Sequence, residues 1–121
     1  HRVGVFTLEG EWLRSLGGPG ADPGRLSYPH GLELLPDGTL LVSEIGTDRI
    51  QRLDPRDGRS LGVWGASGFR MGELRTPWGV ASDGEHLLVL DSGNSRVQVT
   101  TLSSIDERRR DESAPVGSPA D

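Results

Sequence analysis

Apolar residues gather in short clusters separated by glycine-containing turns, and no stretch repeats at the helical period. The clusters fall at residues 3–8 and 12–16, then 30–35, 39–44, 49–53 and 60–64, and then 78–81, 86–91 and 96–102. Each is read as a β-strand. Pro36-Asp37-Gly38 separates one pair and Asp57-Gly58 another. Both are hairpin turns, because glycine tolerates the positive φ that a tight reversal needs. Residues 40–42 (Leu-Leu-Val) and 87–90 (Leu-Leu-Val-Leu) are apolar at successive positions. A strand with one wet face alternates, so both are expected to be covered on both faces.

The clusters recur in register. Arg2-Val3, Arg49-Ile50 and Arg96-Val97 are spaced 47 residues apart, twice over. Pro29-His30-Gly31 corresponds to Pro77-Trp78-Gly79, Gly24-Arg25-Leu26 to Gly72-Glu73-Leu74, and Gly17 to Gly65. Glu44-Ile45-Gly46-Thr47-Asp48-Arg49 corresponds to Asp91-Ser92-Gly93-Asn94-Ser95-Arg96. Four short antiparallel strands in a repeat of this length describe one blade of a β-propeller. The expected fold is therefore all-β, a partial β-propeller of four-stranded antiparallel blades with a disordered C-terminal tail. Residues 1–17 supply the last two strands of a preceding blade. Residues 18–65 form a complete blade, 66–102 an incomplete one, and 103–121 the tail. The tail is polar: three consecutive arginines, Arg108 to Arg110, are flanked by Asp106, Glu107, Asp111 and Glu112.

The residues Thr76-Pro77-Trp78-Gly79-Val80-Ala81, followed by Val89-Leu90-Asp91-Ser92-Gly93-Asn94-Ser95-Arg96-Val97-Gln98-Val99, resemble the NHL repeat family. The repeat before it departs from that pattern, with Glu44 in place of Asp, Ile45 in place of Ser, and Thr47-Asp48 in place of Asn-x. Val3-Gly4-Val5-Phe6 keeps only the end of a unit. The resemblance spans about residues 1–102 and implies a ring of about six blades, more than this chain holds. The chain starts at His1, so its natural N-terminus is expected upstream. Uncovered blade faces are expected to meet partner blades, from a longer parent or from other copies of the chain.

Composition narrows the chemistry. The chain has 18 glycines in 121 residues, as many short turns require, and no cysteine, which removes disulfides, thiolate nucleophiles and cysteine-based zinc modules from this segment. A cysteine-free chain suits either redox compartment, so localisation stays open. The net charge is −5, and no basic cluster stands free of acids. Nucleic acid is therefore not an expected partner. No apolar run approaches the length of a membrane span, and no membrane partner is expected.

Four residues are candidates for ligand binding: His30, Trp78, Arg49 and Arg96. His30 and Trp78 share a repeat position at the start of a first strand. In the resembling propellers that position lies near the central channel. Arg49 and Arg96 end the matched loops. They are read either as ties to Glu44 and Asp91 or as contacts presented to a ligand. Glu44, Asp91 and Asn94 are read as structural loop residues, their side chains accepting or donating loop hydrogen bonds. No catalytic residue and no metal ligand is assigned. There is no His-x-His, no phosphate loop and no Gly-x-Ser-x-Gly.

Two function classes follow from the resemblance. The leading one is a non-catalytic binding scaffold for a protein or peptide, which requires nothing beyond the repeat. The other is part of a propeller enzyme resembling the peptidyl-amidating lyases or lactonases. No cofactor is expected for this segment, and a channel metal such as calcium or zinc belongs only to the enzyme reading of a longer parent.

Overall fold

The computed structural model describes residues 1–105. It contains nine strands: β1 (Arg2–Phe6), β2 (Trp12–Gly17), β3 (Pro29–Leu34), β4 (Leu40–Glu44), β5 (Arg49–Leu53), β6 (Ser60–Trp64), β7 (Pro77–Ser82), β8 (His86–Asp91) and β9 (Arg96–Thr101). They pair antiparallel in chain order into sheets of two strands (β1-β2), four (β3-β4-β5-β6) and three (β7-β8-β9). The architecture is all-β, with partial propeller blades packed face to face.

The repeat survives as geometry. Leu26 and Leu74, both fully buried, end matching loops, and each loop makes an isolated parallel bridge, Pro19 to Leu26 and Ser67 to Leu74. Gly17 and Gly65 precede these loops at φ 92° and 99°. A Cβ on either would come within 2.7 Å of the leucine Cδ1. Glycine is thus required there both for its φ and for the leucine to close over it. Among the described residues, four non-glycine residues also adopt positive φ, and they form two repeat pairs: Tyr28 and Thr76 (50° and 52°), and Asp48 and Ser95 (53° and 55°). The Tyr28 amide donates to His1 Nδ1 (3.1 Å) and the Thr76 amide to Asp48 Oδ1 (2.8 Å), which fixes the same turn twice.

Two apolar layers hold the sheets together. Between the first and second, Val3 packs on Leu26, Val42 and Leu53. Between the second and third, Leu35, Leu41 and Ile50 meet Leu74, Leu87 and Val89, with Leu102 and Ile105 closing the layer. Burial of that area is the main favourable term in the stacking.

Two expectations need correction. β4 is buried at all five positions, as its unbroken apolar run implied. β8 is not: it alternates between exposed and buried, and Leu88 and Leu90 are open to solvent. Its front face packs on the second sheet, whereas no described residue covers its back. The second correction concerns Ser103 to Ile105, which were assigned to the tail. Leu102–Ile105 form a 3-10 turn that buries both end residues in the core. The rest of the expected tail, residues 106–121, lies outside the described residues.

Candidate functional site

Each of the two larger sheets carries a buried polar network on its front face. In the second sheet, Glu44 at the end of β4 faces Arg49 and Gln51 on β5. Arg49 Nε donates to Glu44 Oε2 at 2.8 Å, and Gln51 Nε2 donates to the same oxygen at 2.9 Å. The remaining guanidinium nitrogens reach the carbonyls of Ala21 (2.6 Å) and Arg25 (3.0 Å). Glu44 Oε1 accepts the Ser27 amide (3.0 Å), and Gln51 Oε1 accepts the Gly24 amide (2.7 Å). One carboxylate, one guanidinium and one carboxamide thus hold the loop that leads into β3.

The third sheet repeats this with a shorter acid. Arg96 Nε and Gln98 Nε2 donate to Asp91 Oδ2 at 2.8 and 3.1 Å. Arg96 also reaches the carbonyls of Arg70 and Glu73. Asn94 Nδ2 adds a bond to Asp91 Oδ2 (3.0 Å) and another to the Gly68 carbonyl (2.9 Å). Burial acts to raise the Asp91 carboxyl. The Arg75 amide and the Asn94, Arg96 and Gln98 side chains outweigh it and hold the group below the ordinary carboxylate range. Among the described residues, no buried side-chain nitrogen or oxygen lacks a partner. Arg49 and Arg96 therefore direct their donors inward, onto loop carbonyls and the paired acid.

Gln51 and Gln98 are essential to both networks, and neither was singled out from the sequence. Their signal was present: they stand two residues after the repeated arginines, at the same 47-residue spacing. Asp48 was also passed over. Its Oδ2 accepts from Ser67 Oγ (2.8 Å) while its Oδ1 holds the Thr76 amide, which ties the second sheet to the loop entering the third.

His30 and Trp78 are placed differently. The β3–β4 register slips between Pro29 and Gly31, and the β7–β8 register slips between Pro77 and Gly79. Each slip leaves one extra residue, and those residues are His30 and Trp78. A bulge re-aims its extra side chain, and here both turn outward to meet. The rings stack with centroids 5.0 Å apart and planes inclined by 26°. His30 Nδ1 lies 3.0 Å from the Trp78 carbonyl oxygen. A carbonyl only accepts, so Nδ1 is the donor in this contact, and in the tautomer that makes it Nε2 is the acceptor. Trp78 remains half exposed, at 51%. Beside His30 lies a cleft of about 260 Å³ whose walls include Arg2, Gly4, Leu32 and Val42.

The structure thus brings the four ligand-binding candidates into two separate settings. Arg49 and Arg96 lie within the sheet networks, and His30 and Trp78 form an exposed pair at the strand starts. Among the described residues, no three histidine, aspartate or glutamate side chains converge as a metal-binding set. No helix among them is long and apolar enough to cross a membrane.

Comparison with curated proteins returns no match. The NHL repeat family model matches residues 74–99, from the buried Leu74 of the loop through β7 and β8 to Val99 of β9. This match contains Trp78 and the Asp91, Asn94, Arg96 and Gln98 side chains of the third-sheet network, and residues 74–99 are similar to an NHL repeat.

Proposed function

We propose that this segment is a non-catalytic binding scaffold, and that it engages a protein or peptide through the His30–Trp78 pair. The observation that carries this reading is the pair itself. Two rings from successive repeats stack in the open, on bulges whose flanking residues are fixed by strand pairing. A rigid aromatic surface with one hydrogen-bond acceptor needs little ordering on binding, and that favours recognition. The outer face of Trp78 suits an aromatic, proline or arginine side chain, and His30 Nε2 suits a backbone or side-chain N–H. The adjoining cleft beside Leu32 and Val42 supplies apolar depth. The arginines contribute by fixing the loops on which the pair is mounted.

A displayed peptide library selected against the chain tests this directly. Selected peptides are expected to lose at least about tenfold in affinity to Trp78→Ala, consistent with the cost of truncating an aromatic anchor, and to lose affinity to His30→Ala as well. They should bind Glu9→Ala unchanged. Peptides that bind Trp78→Ala and His30→Ala as well as the parent, or a selection that yields none, would overturn the reading.

A further inference from the structure

The loop that leads into β7 is held as the loop that leads into β3 is held, but its tip differs. The Gly72 amide donates to Gln98 Oε1 as the Gly24 amide does to Gln51 Oε1, at 3.0 and 2.7 Å. Arg96 reaches the Arg70 carbonyl (2.7 Å) as Arg49 reaches that of Asp22 (3.4 Å). Parallel bridges close the two loops at Leu74 and Leu26. The first tip is Ala21-Asp22-Pro23 and the second is Phe69-Arg70-Met71. The first loop makes these bonds without large apolar side chains, so the second does not need Phe69 and Met71 in order to form. Both are open to solvent, at 69% and 82% exposed. Ala21, Asp22 and Pro23 are exposed as well, in a repeat whose sheet packs on a neighbour at each side, so openness belongs to the tip position itself.

Two arginines accompany this tip. Arg70 stands between Phe69 and Met71, and Arg75 follows between the tip and Trp78. Arg49 and Arg96 each meet a buried acid, whereas Arg70 and Arg75 are exposed and meet no described acid. The acids bonded to this loop are occupied by other donors. Glu73 Oε1 accepts the Arg70 amide (3.1 Å), and Asp48 takes Ser67 Oγ and the Thr76 amide. The tip and Trp78 share one end of the third sheet. Pro77 pairs with Asp91, and Asp91 with Arg96, in a row across β7, β8 and β9. Trp78 follows Pro77 and Arg96 holds the tip, so the two are separated by two strand spacings, about 10 Å, and the length of the arginine side chain. An extended segment of about five residues covers such a span. A Cβ on Gly93 would come within 2.7 Å of Arg75 Cγ, which places the Arg75 stem over the turn between β8 and β9, on the way from one to the other.

We infer that the peptide engaged by the His30–Trp78 pair is acidic, that its carboxylates meet Arg75 and Arg70, and that an apolar residue beyond them packs on Phe69 and Met71. This rests on the binding role proposed above and adds the chemistry of the partner. A guanidinium takes a carboxylate through two parallel hydrogen bonds, and aromatic residues, methionine and arginine are enriched where proteins meet their partners. Single-stranded nucleic acid also stacks on aromatic rings and meets arginine. Its affinity grows with the number of phosphates neutralised, however, and Arg70 and Arg75 are few for that task in a chain of net charge −5.

Peptides selected from a displayed library against the parent chain, then synthesised and followed by fluorescence anisotropy, test the inference on two tip variants. Phe69→Ala with Arg70→Asp and Met71→Pro copies onto the second loop the tip that the first already carries. The selected peptides are expected to contain Asp or Glu beside an apolar residue and to lose at least about tenfold in affinity on this variant. Arg70→Glu changes an exposed side chain and leaves the carbonyl that Arg96 holds. It should weaken the same peptides, and replacing their acid with Lys should restore binding to it. Peptides that lose affinity to Trp78→Ala yet bind both tip variants as they bind the parent would overturn this inference and leave the binding role standing. Peptides that bind Trp78→Ala unchanged would remove the binding role and this inference with it. Selected peptides without acidic residues, a charge exchange that restores nothing, or a short oligothymidylate that binds the parent more tightly than the peptides and fails on the tip variants would each overturn the assignment of an acidic peptide.

Discussion

Arg49 and Glu44 form an ion pair inside the sheet stack, with Nε 2.8 Å from Oε2 and the glutamate side chain fully buried. Its worth lies in completeness more than in Coulomb attraction, because desolvating two charges offsets much of what the pair gains. Removing one partner is a different matter. Arg49→Ala leaves the buried Glu44 carboxylate without its cation and the Ala21 carbonyl without its side-chain donor, while the Arg25 carbonyl keeps only Gln51 Nε2. It should cost about 3–5 kcal/mol. Arg96→Ala breaks the matching pair at a more exposed site, where water replaces part of the lost bonding, and should cost less. Urea unfolding of both variants beside the parent checks the order.

Gly31 and Gly79 occupy one repeat position but differ in what surrounds them. A Cβ on Gly31 would come within 2.7 Å of Ser43 Oγ and 2.9 Å of the Trp78 carbonyl oxygen, and the latter is backbone that cannot swing aside. On Gly79 the nearest atom is Leu90 Cβ at 3.8 Å, an ordinary contact. Gly31→Ala should therefore destabilise by about 1–3 kcal/mol, as overpacking does, and should disturb the His30–Trp78 stack. Gly79→Ala should be close to neutral. Denaturant midpoints give the first comparison, and the tryptophan emission of Gly31→Ala gives the second.

Part of the fold could be read from the chain before any coordinates, because periodic landmarks fix strand order and turn positions. Arg49 and Arg96, at a common spacing, mark equivalent points on β5 and β9, and Asp57-Gly58 does mark a turn. Burial was harder to read. Leu40-Leu41-Val42 and Leu87-Leu88-Val89 are nearly the same words, yet only the first is covered on both faces. The difference lies in whether a neighbouring sheet is present, which a strand's own sequence does not encode. The pairing of His30 with Trp78 was hidden for a related reason. Their shared repeat position was plain, but the bulges that turn both rings outward appear only in the strand register. Gln51 and Gln98 were legible in principle, and glutamine in a strand simply carries no obvious chemistry until its two loop partners are in place.

Ile105 gives a prediction from a residue that the sequence placed in a polar tail. It is fully buried against the layer between the second and third sheets, and the 3-10 turn Leu102–Ile105 brings it there. Ile105→Ala should cost about 2–5 kcal/mol, the usual range for truncating a core aliphatic side chain. Ser103→Ala, two residues away and exposed, should have little effect. Thermal unfolding of the two variants separates a core role from a surface one.

The last prediction concerns pH and rests on the turn between β7 and β8. His86 Nδ1 lies 2.9 Å from Asp83 Oδ2, and Asp83 Oδ1 accepts the amides of Glu85 and His86. The hydrogen bond and charge of Asp83 raise the His86 imidazole above its ordinary value. The His86 bond, with the two amides, holds the Asp83 carboxyl well below the usual range. For the histidine, the folded state binds its proton more tightly than the unfolded state. The stabilisation is therefore complete below the unfolded value of about 6.5 and fades as pH rises through the higher folded value. For Asp83 the order is reversed: its contribution is present above the unfolded value of about 3.9 and fades as pH falls toward the folded one. Asp54 behaves likewise, since its bond to Arg56 holds it at about 2. The turn should thus be firmest in mildly acidic solution and loosen toward alkaline pH. Because both side chains are exposed, the effect on global stability should be small, and the local signal is the one to follow. NMR titration should place the His86 imidazole above a model histidine, and Asp83→Asn should return it toward the model value. A His86 titration that Asp83→Asn leaves unmoved would show that the pair does not persist in solution.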